Sequence, residues 1–445
     1  MIKYIILLIL SLTNLFSEYL KTDDNESNVY YSSEHFRVVA GISYIDDLEI
    51  KNIAYRYLDS AEITWNKEIV ELGFKQPKNS DTKKIDIYIG NKDAIGQDAI
   101  DTTIVSDFAG YATSYPSDGT PYFVINPILN DNQIKVTISH EFFHTIQYAY
   151  FDDNQISYEK WIKNIWWLEA TAVLMEDEVY DDIDDYLYFL NPFFDKSYSS
   201  FELYDGSHEY SMVIFAKYIK EKYGLQIIKD SFSSIDTSGD DGYYEILDTL
   251  LINNHNSSMK IALNEFAKWI SNSPKYFEEG SLYPELKHFK TTDNITIEKG
   301  GIVVMDNLNS GWNMTALSNT NISNLDILNL KYIWSYQDGI WSNNLPSTNY
   351  KQISDINSTK GYWVNVDNNS SNYYTYYDSV DLDISGLSAK WHLLSTTKKL
   401  NMDLFNNTQV VWQYKNNEWF VYTNKDTDYK VIDSILPYSS YWVLK

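Results

Sequence analysis

Apolar and polar positions change rhythm along this 445-residue chain, and each rhythm predicts a different kind of element. Phe36-Arg-Val-Val-Ala and the alternating Ile85-Asp-Ile-Tyr-Ile89 read as strands. Tyr122-Phe-Val-Ile-Asn126 reads as another, bounded by Pro121 and Pro127. Neither proline can donate to a ladder, so an edge position is expected for it. Between these strands, Asp47 to about Leu72 has helical spacing, with Ile53, Tyr57, Ala61, Trp65 and Val70 on one side, and Gly73-Phe-Lys-Gln-Pro77 ends it. Three further helices are expected at about Asp131–Tyr150, Tyr158–Glu178 and Glu209–Tyr223, the last stopped by Gly224. Helical stretches near Tyr243–Asn253 and Met259–Ile270 follow.

After about Lys290 the long helical periods end, and Ser, Asn, Thr and Asp punctuate short β-prone runs. This part is an internal repeat. Trp312, Trp334, Tyr336, Trp341 and Tyr362-Trp363-Val364 recur as Trp391, Trp412, Tyr414, Trp419 and Tyr441-Trp442-Val443, always 78 or 79 residues on. Asp338-Gly339 and Asn416-Asn417 sit where hairpin turns belong. Two tandem all-β modules are expected, at 295–372 and 373–445. Repeated packing explains repeated positions most economically, so each Trp is expected to be a core pillar. The other reading is a surface that binds sugar, cell wall or protein.

The N-terminus is a separate object. Met1–Ser17 carries one charge, Lys3, and an uncharged run from Tyr4 to Ser17, too short for the roughly 18–20 residues of a membrane span. A basic start, a short apolar centre and small polar residues near the end read as a signal peptide over residues 1–17. Export to the periplasm or the exterior, with no integral membrane segment afterwards, is the expectation. Residues 18–33 are polar and are expected to be a flexible leader. The globular part starts at about residue 34.

Composition narrows the chemistry. The chain has no cysteine, which removes disulfides, thiolate zinc sites and a cysteine nucleophile. Sixty-two acids against 35 bases give a net charge of -27, which disfavours nucleic acid and anionic membranes as partners.

His140-Glu141-Phe-Phe-His144 matches H-E-x-x-H inside a helical pattern. Residues four apart share a helix face, so both imidazoles can hold one Zn²⁺, with Glu141 beside it as a general base. With 7 His and 22 Glu in the chain, chance placement gives roughly 0.005 matches. A third ligand decides the class. Gln147 and Tyr150 stand where a metzincin needs Gly and His, so that class is excluded. Trp166-Trp-Leu-Glu169-Ala-Thr-Ala172 offers Glu169, a carboxylate on an apolar stretch that needs a partner. Glu176, Asp177 and Glu178 compete, but read as a solvated run. Two acid clusters raise Ca²⁺. Asp236-x-Ser-x-Asp240 fails the EF-hand spacing, and Asp181-Asp-Ile-Asp-Asp185 reads as solvated surface with weak Ca²⁺ affinity at most.

His-Glu-Phe-Phe-His-Thr-Ile-Gln, Trp-Trp-Leu-Glu-Ala-Thr-Ala and Tyr210-x4-Phe-Ala-Lys-Tyr-Ile-Lys-Glu-Lys-Tyr-Gly224 together resemble the peptidase-MA-like gluzincins, and within them a group of secreted bacterial metalloproteases. The likeness covers some 250 residues, from His35-Phe36-Arg37 to Gly280-Ser-Leu-Tyr-Pro284. This chain has Glu169-Ala170 where that group carries Glu-Gly. The resemblance implies an α+β zincin-like domain over 34–290, a small twisted sheet plus helices, ahead of the β repeats. It implies a zinc metallopeptidase acting on protein or peptide, with His140, His144 and Glu169 as ligands. It also implies an oxyanion-stabilising group, for which Tyr210 is the first candidate and His208 the second. It places extended substrate against the strand Tyr122–Asn126. The competing expectation is a non-catalytic adhesion protein on that scaffold, contacting cell surface or carbohydrate through the aromatic repeats.

Overall fold

The computed structural model describes residues 21–22, 27–151, 158–235, 239–290, 293, 295–321, 330–345, 350–379, 382–423, 425 and 427–445. The expected signal peptide, part of the leader and Asp236 lie outside the described residues. The chain forms two compact units, Met1–Leu190 with Tyr204–Leu250, and Asn191–Leu203 with Leu251–Lys445. Residues 251–290, expected to close the N-terminal domain, thus group with the β-rich C-terminal part.

The first unit is α/β. Its sheet contains β1 (Lys21–Thr22), β2 (Asn28–Ser32), β3 (Phe36–Gly41), β4 (Ile85–Ile89), β5 (Gly110–Ser114) and β6 (Pro121–Ile125), in the order β1-β2-β3-β4-β6-β5. β3, β4 and β6 run parallel, while β5 is antiparallel to β6. Two expectations are corrected here. Residues 28–32 are not a loose leader: Val29 and Tyr31 alternate into the core, and β2 pairs along the length of β3. β6 is not an edge strand. It lies between β4 and β5, because Pro121 stands at its first residue and Pro127 beyond its end, where no ladder N–H is lost. The edge beside β6 is β5, which its sequence, Gly-Tyr-Ala-Thr-Ser, did not announce.

The helix Leu48–Trp65 starts where the Asp47 side chain accepts from the N–H groups of Glu49 and Ile50. It runs on as a π-helical segment, Asn66–Glu71, and ends before Gly73, whose φ of 72° is left-handed. The motif helix, Asp131–Tyr148, opens with a capping box in which Asn130 and Gln133 satisfy each other's backbone N–H groups. Ile134, Ile138, Phe142 and Ile146 form one of its buried stripes, and Phe142 meets Phe36 of β3 and Trp65 at ring-centroid distances of 5.3 and 5.7 Å. The helix Tyr158–Val179 packs along it. The expected helix at 209–223 breaks at Met212 into His208–Ser211 and Val213–Tyr223. No helix among the described residues is long and apolar enough to cross a membrane.

The second unit carries the tandem repeats on one ten-stranded sheet. Both expected hairpins form. Tyr336 pairs with Trp341 around Asp338-Gly339, and Tyr414 with Trp419 around Asn416-Asn417. All four turn residues have positive φ, the type I′ geometry that suits strand twist. Each repeat has its own apolar core: Ile333, Ile356, Tyr362 and Val364 in the first, and Val411, Ile435, Tyr441 and Val443 in the second. The tyrosine hydroxyls accept from equivalent backbone N–H groups, Asn357 and Leu436, at 2.8 Å each.

The repeated Trp are therefore not core pillars. All eight stand on the opposite face, half-buried or exposed, with Trp312 at 45% and Trp419 at 38%. Strand alternation explains this: Tyr362 and Val364 point inward, so Trp363 between them points out, and Tyr441-Trp442-Val443 repeats the pattern.

Candidate metal centre

The motif helix is buried on most sides, so its polar side chains need partners, and Ser139, His140, His144 and Gln147 have found them. Ser139 donates to the carbonyl of Met175 and lies 3.1 Å from Glu68. Gln147 donates through its amide nitrogen to the Leu168 carbonyl and to Thr171 Oγ1, at 2.9 and 3.1 Å. Those two bonds fix which end of the amide is which. Gln147 Oε1 must then accept from His144 Nδ1, 2.8 Å away. On the other imidazole, His140 Nδ1 lies 2.7 Å from Glu176 Oε1, a carboxylate that can only accept when ionised.

With a metal bound, these acceptors would hold both rings in the Nδ1–H tautomer and leave both Nε2 lone pairs to ligate it. The two Nε2 atoms face each other at 3.1 Å. Glu169 Oε2 joins them, 3.1 Å from His140 Nε2 and 3.5 Å from His144 Nε2. Three acceptors this close repel unless a positive charge lies among them. Donors at 2.0–2.1 Å from one tetrahedral ion would stand about 3.3–3.4 Å apart, in line with these distances. Two neutral imidazoles and one carboxylate are a donor set suited to Zn²⁺, and three protein ligands leave a fourth position. The residues present fit the ion.

The electrostatics agree. Burial opposes the charge on Glu169, but the two imidazoles outweigh it and hold the carboxyl well below its usual range. Burial likewise opposes the charge on His140, and its hydrogen bonds to Glu169 and Glu176 outweigh it in the other direction. Without a metal, the cluster draws protons to where a cation would sit. Burial pushes the Glu176 carboxyl up to about 7, against the pull of His140.

Glu141 is buried, and burial raises its carboxyl above the usual range. It lies against the edge strand. A Cβ at Gly110 would come within 3.0 Å of Glu141 Cγ and 3.1 Å of its Oε1. The Tyr148 hydroxyl, from the same helix, donates to the Ala112 carbonyl at 3.0 Å and ties β5 to the motif helix.

Tyr210 also faces the centre. Its ring centroid is 6.1 Å from that of His140, and Phe189 stacks on it at 5.6 Å. Burial, with Glu169 and Glu141 nearby, raises its phenol and keeps it protonated. His208, the second candidate, is buried, with its backbone N–H held by Asp205. Of the Asp181–Asp185 cluster raised for Ca²⁺, Asp181 and Asp182 are exposed on a 3-10 turn, while Asp184 and Asp185 are half-buried rather than fully solvated.

Three contributors escaped the sequence reading. Glu176 was set aside as solvated, yet it lies seven residues after Glu169, two helical turns along the same face. Gln147, used only to exclude another class, lies one turn after His144. Gly110 carried no signal at all.

Residues 31–241 match the model of a family of unknown function, DUF6055. That span contains the metal-ligand candidates, Glu141, Glu176 and Tyr210. No curated protein matches the chain.

Proposed function

We propose that this protein is an exported zinc-dependent metallopeptidase of gluzincin type with a zincin-like N-terminal domain. One observation carries the reading: His140 Nε2, His144 Nε2 and Glu169 Oε2 converge within 3.5 Å of one another while each Nδ1 is tied to a fixed acceptor. The mixed sheet with an antiparallel edge strand beside the motif helix supports the zincin-like assignment. The apolar N-terminal run supports export.

His140, His144 and Glu169 would hold the ion. When bound, zinc supplies Lewis acidity and brings the pKa of a water in its open position down to about 7. Glu141 takes a proton from the attacking water on its carboxylate and returns it to the leaving amine nitrogen. Tyr210 keeps its phenolic proton and donates a hydrogen bond to the oxyanion that develops on the scissile carbonyl. The outer edge of β5, beside Glu141, lets an extended peptide add as a strand.

The test is zinc content together with chelator-sensitive cleavage of unfolded casein, wild type against Glu141→Gln. The variant keeps zinc and loses roughly 10²–10⁴-fold in rate. Wild-type protein without zinc, or a variant that cleaves as fast as wild type, refutes the assignment. The exposed Trp face favours a second reading, adhesion without catalysis. It predicts zinc without any cleavage.

A further inference from the structure

The eight outward Trp enclose two open clefts that are copies of each other. Trp312, Trp334 and Trp363 line one, of 620 Å³; their repeat counterparts Trp391, Trp412 and Trp442 line the other, of 520 Å³. Trp341 and Trp419 line both. Ring geometry repeats with the sequence. Trp334 meets Tyr350 edge-on at 5.0 Å, and Trp412 meets Tyr429 at 4.8 Å. Each repeat also completes the other's cleft: Tyr336 lies 5.1 Å from Trp442, and Tyr414 lies 5.3 Å from Trp363. The aromatic face is thus one surface built by both repeats, with internal twofold character.

We propose that these clefts are two equivalent binding sites for a neutral polysaccharide. The inference does not depend on the metal centre. Such an extent of exposed aromatic surface is uncommon unless something covers it, and cavities of this volume are of ligand size. Three observations select the occupant. First, among the described residues no charged side chain lines either cleft. Residues 301–445 hold 10 Lys against 13 Asp and Glu, so the strong acidity of the chain lies elsewhere and the face suits an uncharged ligand. Second, none of the eight indole N–H groups has a hydrogen-bond partner among the described residues. An indole is a donor only. Sugar hydroxyls accept from it and, in an open cleft, donate to water. A quaternary ammonium offers it no acceptor. Third, two copies of one site on one rigid sheet suit a ligand that repeats, because the second contact becomes intramolecular and avidity rises. The pyranose C–H faces lie on the rings, and the hydroxyl edges meet the indole N–H groups and solvent.

The experiment is affinity electrophoresis of the full chain through gels containing hydroxyethylcellulose, glucomannan, xylan or glycol chitin. It is followed by Trp-fluorescence titration with short oligosaccharides of the polysaccharide that retards it. Retardation in at least one gel is expected, with two oligosaccharides bound per chain. Trp419→Ala, which opens both clefts, weakens binding by at least about tenfold. Trp312→Ala and Trp391→Ala each reduce the stoichiometry from two to one. Trp312 is 45% exposed, so its truncation tests the site even if Trp419→Ala fails to fold. Unretarded migration in all four gels overturns the proposal. So does retardation unchanged in natively folded Trp312→Ala and Trp391→Ala, or a fluorescence response to poly-L-proline or phosphocholine in place of sugar.

Discussion

Glu176 gives the sharpest test of the metal centre, because it acts through His140 and would touch neither zinc nor substrate. Its carboxylate accepts from His140 Nδ1 at 2.7 Å, with the two side chains only 5% and 11% exposed. In Glu176→Ala the buried Nδ1–H loses its acceptor, a penalty of about 1–3 kcal/mol. That penalty falls on metal-free and metal-loaded protein alike, so it lowers stability without weakening metal binding. Affinity changes for a different reason. The freed imidazole can move its proton to Nε2, where Glu169 Oε2 at 3.1 Å would accept it, and the metal must then reverse that tautomer. Loss of the carboxylate also lowers the basicity of the ligating nitrogen. Outer partners of this kind are worth roughly 10–100-fold in metal affinity, or about 1.4–2.8 kcal/mol. Glu176→Gln keeps an acceptor oxygen and should lose less than about tenfold. The assay is competition for Zn²⁺ against a chromophoric chelator, with thermal melts of the metal-free proteins alongside. Wild-type affinity in Glu176→Ala refutes the reasoning; a lowered melting temperature with unchanged affinity would make Glu176 a packing residue only.

Other outcomes follow from individual contacts. Gly110→Ala has an ordinary φ but places a methyl against Glu141 and 3.0 Å from Thr137 Cγ2. It should keep zinc and lose on the order of 10–100-fold in casein cleavage, since small displacements of a positioned base are costly; an unchanged rate would detach Glu141 from β5. Glu68 is buried beside Ser139, and burial holds its carboxyl well above the usual range. The folded state therefore keeps the proton longer than the unfolded one. The contribution is full below the unfolded pKa of about 4.3 and is lost as pH rises through the folded pKa, at about 1.4 kcal/mol per unit. Glu68→Gln should accordingly gain stability relative to wild type as pH rises above about 5 in urea titrations, and a gap that does not grow with pH would contradict this. Tyr362→Phe and Tyr441→Phe each leave one backbone N–H without its 2.8 Å acceptor. Each should lower stability by about 1–2 kcal/mol in denaturant melts, by similar amounts if the two cores are equivalent.

The parts of the centre that were legible in the sequence share one property: their partners are close in the chain. His140, Glu141 and His144 lie within two turns of one helix, and a regular period gives their relation without any tertiary knowledge. Glu169 was reachable because a lone carboxylate on an apolar stretch demands a partner. Glu176 obeys the same logic, but its neighbours Asp177 and Glu178 disguised it as a solvated run. In the fold, Asp177 and Glu178 are turned toward Lys217 and Lys220 on another helix, while Glu176 is turned toward His140. Adjacent positions on a helix point about 100° apart, so composition over a window hides what periodicity separates. Gly110 and β5 lay beyond either method. Their role comes from the position of one sheet edge against Glu141, which is set by strand order.

The repeats teach the opposite lesson, because there the local pattern held the answer and residue type obscured it. Trp is large and apolar, so recurrence at fixed spacing suggested a core. Yet Tyr-Trp-Val puts Trp on one face and Tyr and Val on the other, and only one face of the triplet can be inside. Ile333-Trp334-Ser335-Tyr336 offers the same choice, and burial of Ile333 and Ser335 decides it. The aliphatic residues and the two buried tyrosines already supply each repeat with a closed core. Nothing in the folding of a repeat then requires its four Trp, and their retention in both copies, with one ring geometry reproduced to within a few tenths of an ångström, calls for a role at the surface. A packing role predicts that truncating Trp363 or Trp442 lowers stability in proportion to buried area. A binding role predicts that stability changes little while ligand affinity falls, and measuring both quantities on the same variants separates the two.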